Sequence, residues 1–94
     1  KTTFMSNEMV YKPEISVDCV VFGFDGNRLK VEVGSVAHPM LPEHHISFIY
    51  VETENGGILA NLKEKPEATF CICNDKPVAV YEYCNLHGLW KTEL

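Results

Sequence analysis

No stretch of this chain repeats apolar residues at helical spacing over a useful length, and no run of about 18 apolar residues occurs. The first absence argues against a helical fold, and the second excludes a membrane-spanning helix. Basic clusters are missing too. Eight Lys and Arg face 13 Asp and Glu, a formal charge of −5, which excludes a polyanion such as nucleic acid as partner. Nothing at the start has the basic, apolar, small-residue order of an export signal, so the expected location is the cytoplasm. There is no internal repeat and no low-complexity tract, and 94 residues suffice for one core but not two. Histidine is scarce as well, and its four copies are all in two short stretches.

What is present reads as short strands between turns. Ile15 to Phe24 is rich in Val and Phe, Asp25-Gly26-Asn27 is a strong turn signal, and Leu29-Lys30-Val31-Glu32-Val33 alternates. These three predict a hairpin. Pro39 and Pro42 make 34–44 a loop, and strands are predicted over 45–53, 58–62, 68–73 and 78–83. Residues 1–13, closed by Pro13, are expected to be a loose N-terminal arm, with one domain over 14–94. Six or seven strands with regular turns predict an all-β, antiparallel β-sandwich.

Four cysteines allow two disulfides. One of Cys71 and Cys73 is expected to face the core and the other the surface, which disfavours both a bridge between them and a Cys-x-Cys metal site. Reduced thiols are the expectation.

The histidines carry the chemistry. His38-Pro39-Met40-Leu41-Pro42-Glu43-His44-His45 forms one cluster and Cys84-Asn85-Leu86-His87-Gly88-Leu89-Trp90-Lys91 the other. A thiolate and an imidazole three apart can be aimed by one tight turn at one metal ion. A lone His or Cys is more often a packed core residue. Two clusters on loops that a sandwich can bring together predict one mononuclear site with nitrogen and sulfur ligands.

With Val33-Gly34-Ser35-Val36-Ala37 before the first motif and Tyr81-Glu82-Tyr83 before the second, the chain resembles the superoxide reductases from about Asp25 to Lys91. That family includes the iron domain of desulfoferrodoxin and the neelaredoxins. The resemblance implies an immunoglobulin-like sandwich holding one non-haem iron that reduces superoxide to hydrogen peroxide. It also implies re-reduction by a donor such as rubredoxin, and assembly as a homodimer or homotetramer. Carried over, His38, His44 and His87 would be equatorial ligands and Cys84 the axial thiolate, with backbone N–H groups of 85–87 tuning the iron. His45 would stand behind the ligands or at the surface.

The family's fourth histidine falls on Asp18, whose carboxylate would be a harder ligand, and its Glu and Lys become Ser16 and Val17. Cys19 would serve if the register moved by one, and Lys12 and Glu14 lie near enough to replace the lost pair. Lys91 is the candidate cation for drawing in the anion, and Trp90 a lid beneath the site. Residues 9–24 resemble instead the opening strand of Nudix-type domains, without the glutamate-rich Nudix helix. The family's rubredoxin-like domain has no counterpart, so one iron is expected. Two other readings remain: an iron or zinc holder without turnover, since zinc takes three histidines and a cysteine, and a protein-binding module with a vestigial site.

Overall fold

The computed structural model describes residues 10–34 and 37–94, and of residues 10–14 and 17–18 the backbone alone. Among the described residues seven strands form the fold: β1 (Val10–Val21), β2 (Phe24–Val33), β3 (Ile46–Thr53), β4 (Gly56–Asn61), β5 (Glu67–Ile72), β6 (Pro77–Cys84) and β7 (Gly88–Glu93). They make an antiparallel three-stranded sheet, β1-β2-β5, and an antiparallel four-stranded sheet, β4-β3-β6-β7. The all-β sandwich expected from the turns is what forms.

Alternation decides what lies inside. Leu29, Val31 and Val33 of β2 face Ile46, Ile49 and Val51 of β3 and Val80 of β6, each at most 1% exposed. Phe70 and Ile72 of β5 complete the same core. Cys84 is the last residue of this inward row on β6 and is wholly buried. The core therefore ends on a thiol.

Three expectations are corrected. Strand β1 begins at Val10, so residues 10–13, expected in a loose arm, are strand; residues 1–9 lie outside the described residues. Pro13 is tolerated because it falls in a register shift between Tyr11 and Glu14, where a missing N–H breaks no ladder bond. The hairpin turns at Phe22-Gly23, both at positive φ (52° and 82°), not at Asp25-Gly26-Asn27. Gly26 stays inside the sheet because its missing side chain leaves room for Cys73 Sγ and the Ile72 carbonyl.

The cysteines also differ. Residues two apart on a strand share a face, and Cys71 and Cys73 both lie outside, on either side of the inward Ile72. Cys71 forms a disulfide with Cys19, their Cα atoms 5.9 Å apart, while Cys73 and Cys84 are free thiols. Strands β1 and β5 both flank β2, so this disulfide bridges across the middle strand of the sheet. Strand β7 is the seventh of the six or seven strands expected, at a place that no sequence signal had marked.

Candidate metal centre

The first ligand loop leaves β2 at Val33, whose carbonyl accepts the His38 N–H at 3.2 Å. Pro42 then sits in a tight turn closed by two bonds, Leu41 N–H to the His44 carbonyl (2.9 Å) and His44 N–H to the Leu41 carbonyl (3.1 Å). Proline suits such a turn because its φ is already set. The second loop is the hairpin between β6 and β7, three residues closed by the Cys84–Gly88 pair. Gly88 at φ 85° supplies the left-handed residue that such a loop needs.

One side chain joins the loops. Asn85 Oδ1 accepts the His45 N–H at 2.8 Å, and Asn85 Nδ2 donates to the Glu43 carbonyl at 3.0 Å. Its own N–H donates to the His45 carbonyl at 3.1 Å. The bonds bracket His44, so the amide fixes the backbone that presents that ring next to Cys84. The sequence had pointed at Asn85 only for its backbone N–H; its cross-loop role needs tertiary structure to see. Because that N–H is spent on His45, it does not tune the thiolate.

His38, His44, Cys84 and His87 each offer one donor atom, and these atoms lie within 4.8 Å of one another. Cys84 Sγ is 3.7 Å from His38 Nε2 and 3.5 Å from His87 Nδ1. The His38 and His44 ring centroids are 4.6 Å apart and the His44 and His87 centroids 5.0 Å, both edge-on. Bonds of about 2.3 Å to sulfur and about 2.1 Å to nitrogen give a tetrahedral edge near 3.6 Å. The spacing fits one ion.

Tautomers agree with that use. Facing the Pro39 carbonyl at 2.9 Å, His38 Nδ1 carries the proton, which leaves the Nε2 lone pair aimed at the cluster. Among the described residues His44 Nε2 is buried without a hydrogen-bond partner, an orphan that a metal would satisfy. Desolvation holds the His44 pKa below the usual histidine value, and the nearby His38, His87 and His45 push the same way. Its neutral, ligating form is favoured. His45 is turned out of the cluster, its Nδ1–H donating to the Leu41 carbonyl at 3.0 Å.

Other site residues from the sequence are not brought here. Asp18 occupies the register shift between Val17, opposite Asn27, and Cys19, opposite Gly26, near the hairpin turn; its side chain lies outside the described residues. The cluster gathers at the other end of β2, beyond Val33. Cys19 is committed to its disulfide. Lys12 and Glu14 are described in backbone only. Lys91 is opposite Tyr81, on the face of the sheet away from Cys84, with Nζ 3.5 Å from Glu93 and 5.6 Å above the Tyr81 ring. Alternation explains this, since Tyr81 and Cys84 are an odd number of residues apart.

Trp90 is half-buried opposite Glu82, and its buried Nε1 has no partner among the described residues. Glu82 is the other missed residue. It is fully buried two positions before Cys84, neither carboxylate oxygen is paired among the described residues, and burial raises its pKa to about 7. A cavity of about 530 Å³ lined by Phe48, Tyr50, Glu52, Tyr81 and Leu89 contains none of the four cluster residues.

These features match known proteins. The chain is 52% identical to a desulfoferrodoxin of Nitratidesulfovibrio vulgaris over 71% of its own length and 54% of that protein. It is 34% identical to a superoxide reductase of Pyrococcus horikoshii, covering all of this chain and 96% of that one. Among solved structures, the superoxide reductase of Treponema pallidum superposes with a TM-score of 0.70 at 40% identity, over 86% of this chain and 62% of that chain. The chain spans about half the length of the curated desulfoferrodoxins it matches. A family model described as desulfoferrodoxin matches residues 4–93, running through the 9–24 segment that had looked Nudix-like. By fold, by its cluster of three histidines and a cysteine, and by this match along nearly its whole length, the chain belongs to the desulfoferrodoxin family.

Proposed function

We propose that the chain reduces superoxide to hydrogen peroxide at one iron held by His38, His44, His87 and Cys84. The observation that carries this reading is the convergence of four donor atoms within 4.8 Å, one of them a wholly buried thiol. Bound iron would supply the electron, and a thiolate donor raises its readiness to give that electron up. The protein's part is positional. Burial shields Cys84 Sγ from solvent, the Pro39 carbonyl orients His38, and Asn85 holds the loop bearing His44. His87 is exposed, so the side of the cluster it occupies is the one open to a small anion. Two protons complete each turnover. On this reading they come from solvent at that open side.

The remaining partners follow from the same reading. An external one-electron donor such as rubredoxin returns the iron to its ferrous state, and a cytoplasmic setting supplies reductant. A homodimer or homotetramer suits β4, an edge strand with Ile58 37% and Leu59 54% exposed.

A second reading is favoured by the 3.5–3.7 Å sulfur–nitrogen spacings, which also suit four-coordinate zinc. Metal analysis of anaerobically iron-loaded protein, followed by pulsed superoxide decay, separates the two. One iron per chain, superoxide consumption and its loss in Cys84→Ser support the reductase. Refusal of iron with tight zinc binding would replace it with a zinc-holding domain.

A further inference from the structure

The β1–β2 hairpin leaves a group of apolar residues in water. Val20 is 63% exposed, Phe22 96% and Phe24 58%. Phe22 also takes a positive φ of 52°, which a bulky residue rarely adopts. Meanwhile Asp25-Gly26, a strong short hairpin signal, is spent inside a strand. Each feature is unfavourable locally, and all belong to one pairing.

A two-residue Asp25-Gly26 loop would pair the strands differently. Phe24 would face Asn27, Phe22 would face Leu29, Val20 would face Val31, and Asp18 would face Val33. Leu29, Val31 and Val33 are core residues at most 1% exposed. Residues opposite one another share a face of the sheet, so this pairing turns Val20 and Phe22 inward. In exchange it releases Ile15 from Leu29, and Ile15 is already 52% exposed.

The disulfide forbids that alternative. In the present pairing Cys19 is opposite Gly26, close enough to Cys71 for a Cα separation of 5.9 Å. In the other, Cys19 would be opposite Glu32, while Cys71 stays opposite Arg28. Four residues along β2 is about 13 Å at the usual strand rise, whereas a disulfide needs Cα atoms within about 7 Å.

We propose that the hairpin has two registers selected by the Cys19–Cys71 couple, and that the reduced register carries Asp18 to the metal end of the sheet as a carboxylate donor. A dithiol reductant opens the bond. Its thiolate attacks one sulfur and releases the other cysteine, and its second thiol then displaces the first cysteine. The reductant leaves as a disulfide, and two electrons and two protons pass to Cys19 and Cys71. Val33 is the anchor for the destination, because its carbonyl already holds the His38 N–H. The register change stands by itself; the ligand role of Asp18 rests on the metal reading above.

The test compares the oxidised chain with Cys71→Ser and Cys19→Ser by NMR of metal-free protein. The oxidised chain should show cross-strand proton contacts between Cys19 and Gly26 and between Val21 and Phe24. Both variants should lose them and gain contacts between Val20 and Val31 and between Phe22 and Leu29. Phe22→Asn in the Cys71→Ser background favours the present turn and removes the apolar gain, so it should keep the first set. If the first set persists in both cysteine variants, or all β1–β2 pairing is lost, the proposal is overturned. Cobalt(II) then tests the ligand. The visible spectrum of Cys71→Ser should shift when Asp18→Asn is added, and an unchanged spectrum overturns the role of Asp18. Failure of cobalt to bind at all would sink the metal reading while leaving the NMR result intact.

Discussion

The two ends of β2 are built on opposite terms. Beyond Val33, backbone groups of the ligand loop find partners: His38 on Val33, Leu41 and His44 on each other, and His45 on the Asn85 side chain. At the other end, the hairpin closes with Phe22 at positive φ and leaves Val20, Phe22 and Phe24 exposed. Hydrogen-bond closure defines the ligand end, whereas a covalent bond between Cys19 and Cys71 defines the turn end. The difference teaches that strand alternation, which serves both ends equally, does not choose a register. Bonds between segments distant in sequence have to, and here they are those of an amide at one end and a disulfide at the other.

Cys84→Ser breaks the ligand end most severely. Superoxide decay should slow more than about 100-fold, beyond the usual cost of losing a hydrogen-bond partner to a ligand, as read by pulsed kinetics on iron-loaded protein. Asn85→Ala tests whether the clamp matters. Metal affinity should fall about 10–100-fold in a competition titration, while Asn85→Asp, which keeps the acceptor for the His45 N–H but loses the donor to Glu43, should fall less. Equal affinity in all three would show that His44 is held by its own turn.

The core should respond more than the turn end. Leu29→Ala removes a side chain with no exposure and should cost about 2–5 kcal/mol in chemical denaturation. Phe22→Asn in the oxidised chain should cost nothing and gain up to about 1 kcal/mol, because asparagine accepts the positive φ. A large loss there would mean that Phe22 is packed after all.

Glu82 gives a signed pH dependence. Burial holds its folded pKa near 7 against an ordinary 4.5. Below about 4.5 both folded and unfolded chains carry the proton, and stability is complete. Between 4.5 and 7 the unfolded chain loses its proton first, so stability falls until the native carboxyl also ionises. In metal-free protein, Glu82→Gln should abolish this decline and be more stable above pH 7 by about 1–2 kcal/mol, after allowance for solvent screening. Parallel melting curves for the two proteins from pH 4 to 8 would refute it.

Much of this molecule could be read without coordinates. Alternation in Leu29-Lys30-Val31-Glu32-Val33 and in 46–53 marked real strands, and the histidine clusters marked the four residues that converge. The turn at Phe22-Gly23 could not be read, because Asp25-Gly26-Asn27 is the stronger local signal and only tertiary pairing overrides it. Asp18 was located by counting from that turn, so its placement moved with it. Strand β7 escaped because Gly88 to Thr92 is half-buried at every position and lacks an apolar-polar contrast. Lys91 looked close to the site along the chain, yet strand alternation faces it the other way.

Residue chemistry alone marked the candidate metal donors and the class of fold. Imidazole and thiolate are metal donors wherever the chain puts them, and period-two patterns bury one face wherever the sheets form. Three-dimensional packing settled the rest. It chose which hairpin register holds, through a disulfide between residues 52 apart. It joined loops 42 residues apart through Asn85, and it buried Glu82 beside the thiol. Each depends on contacts between distant segments, whose free energy is set by geometry that no local pattern records.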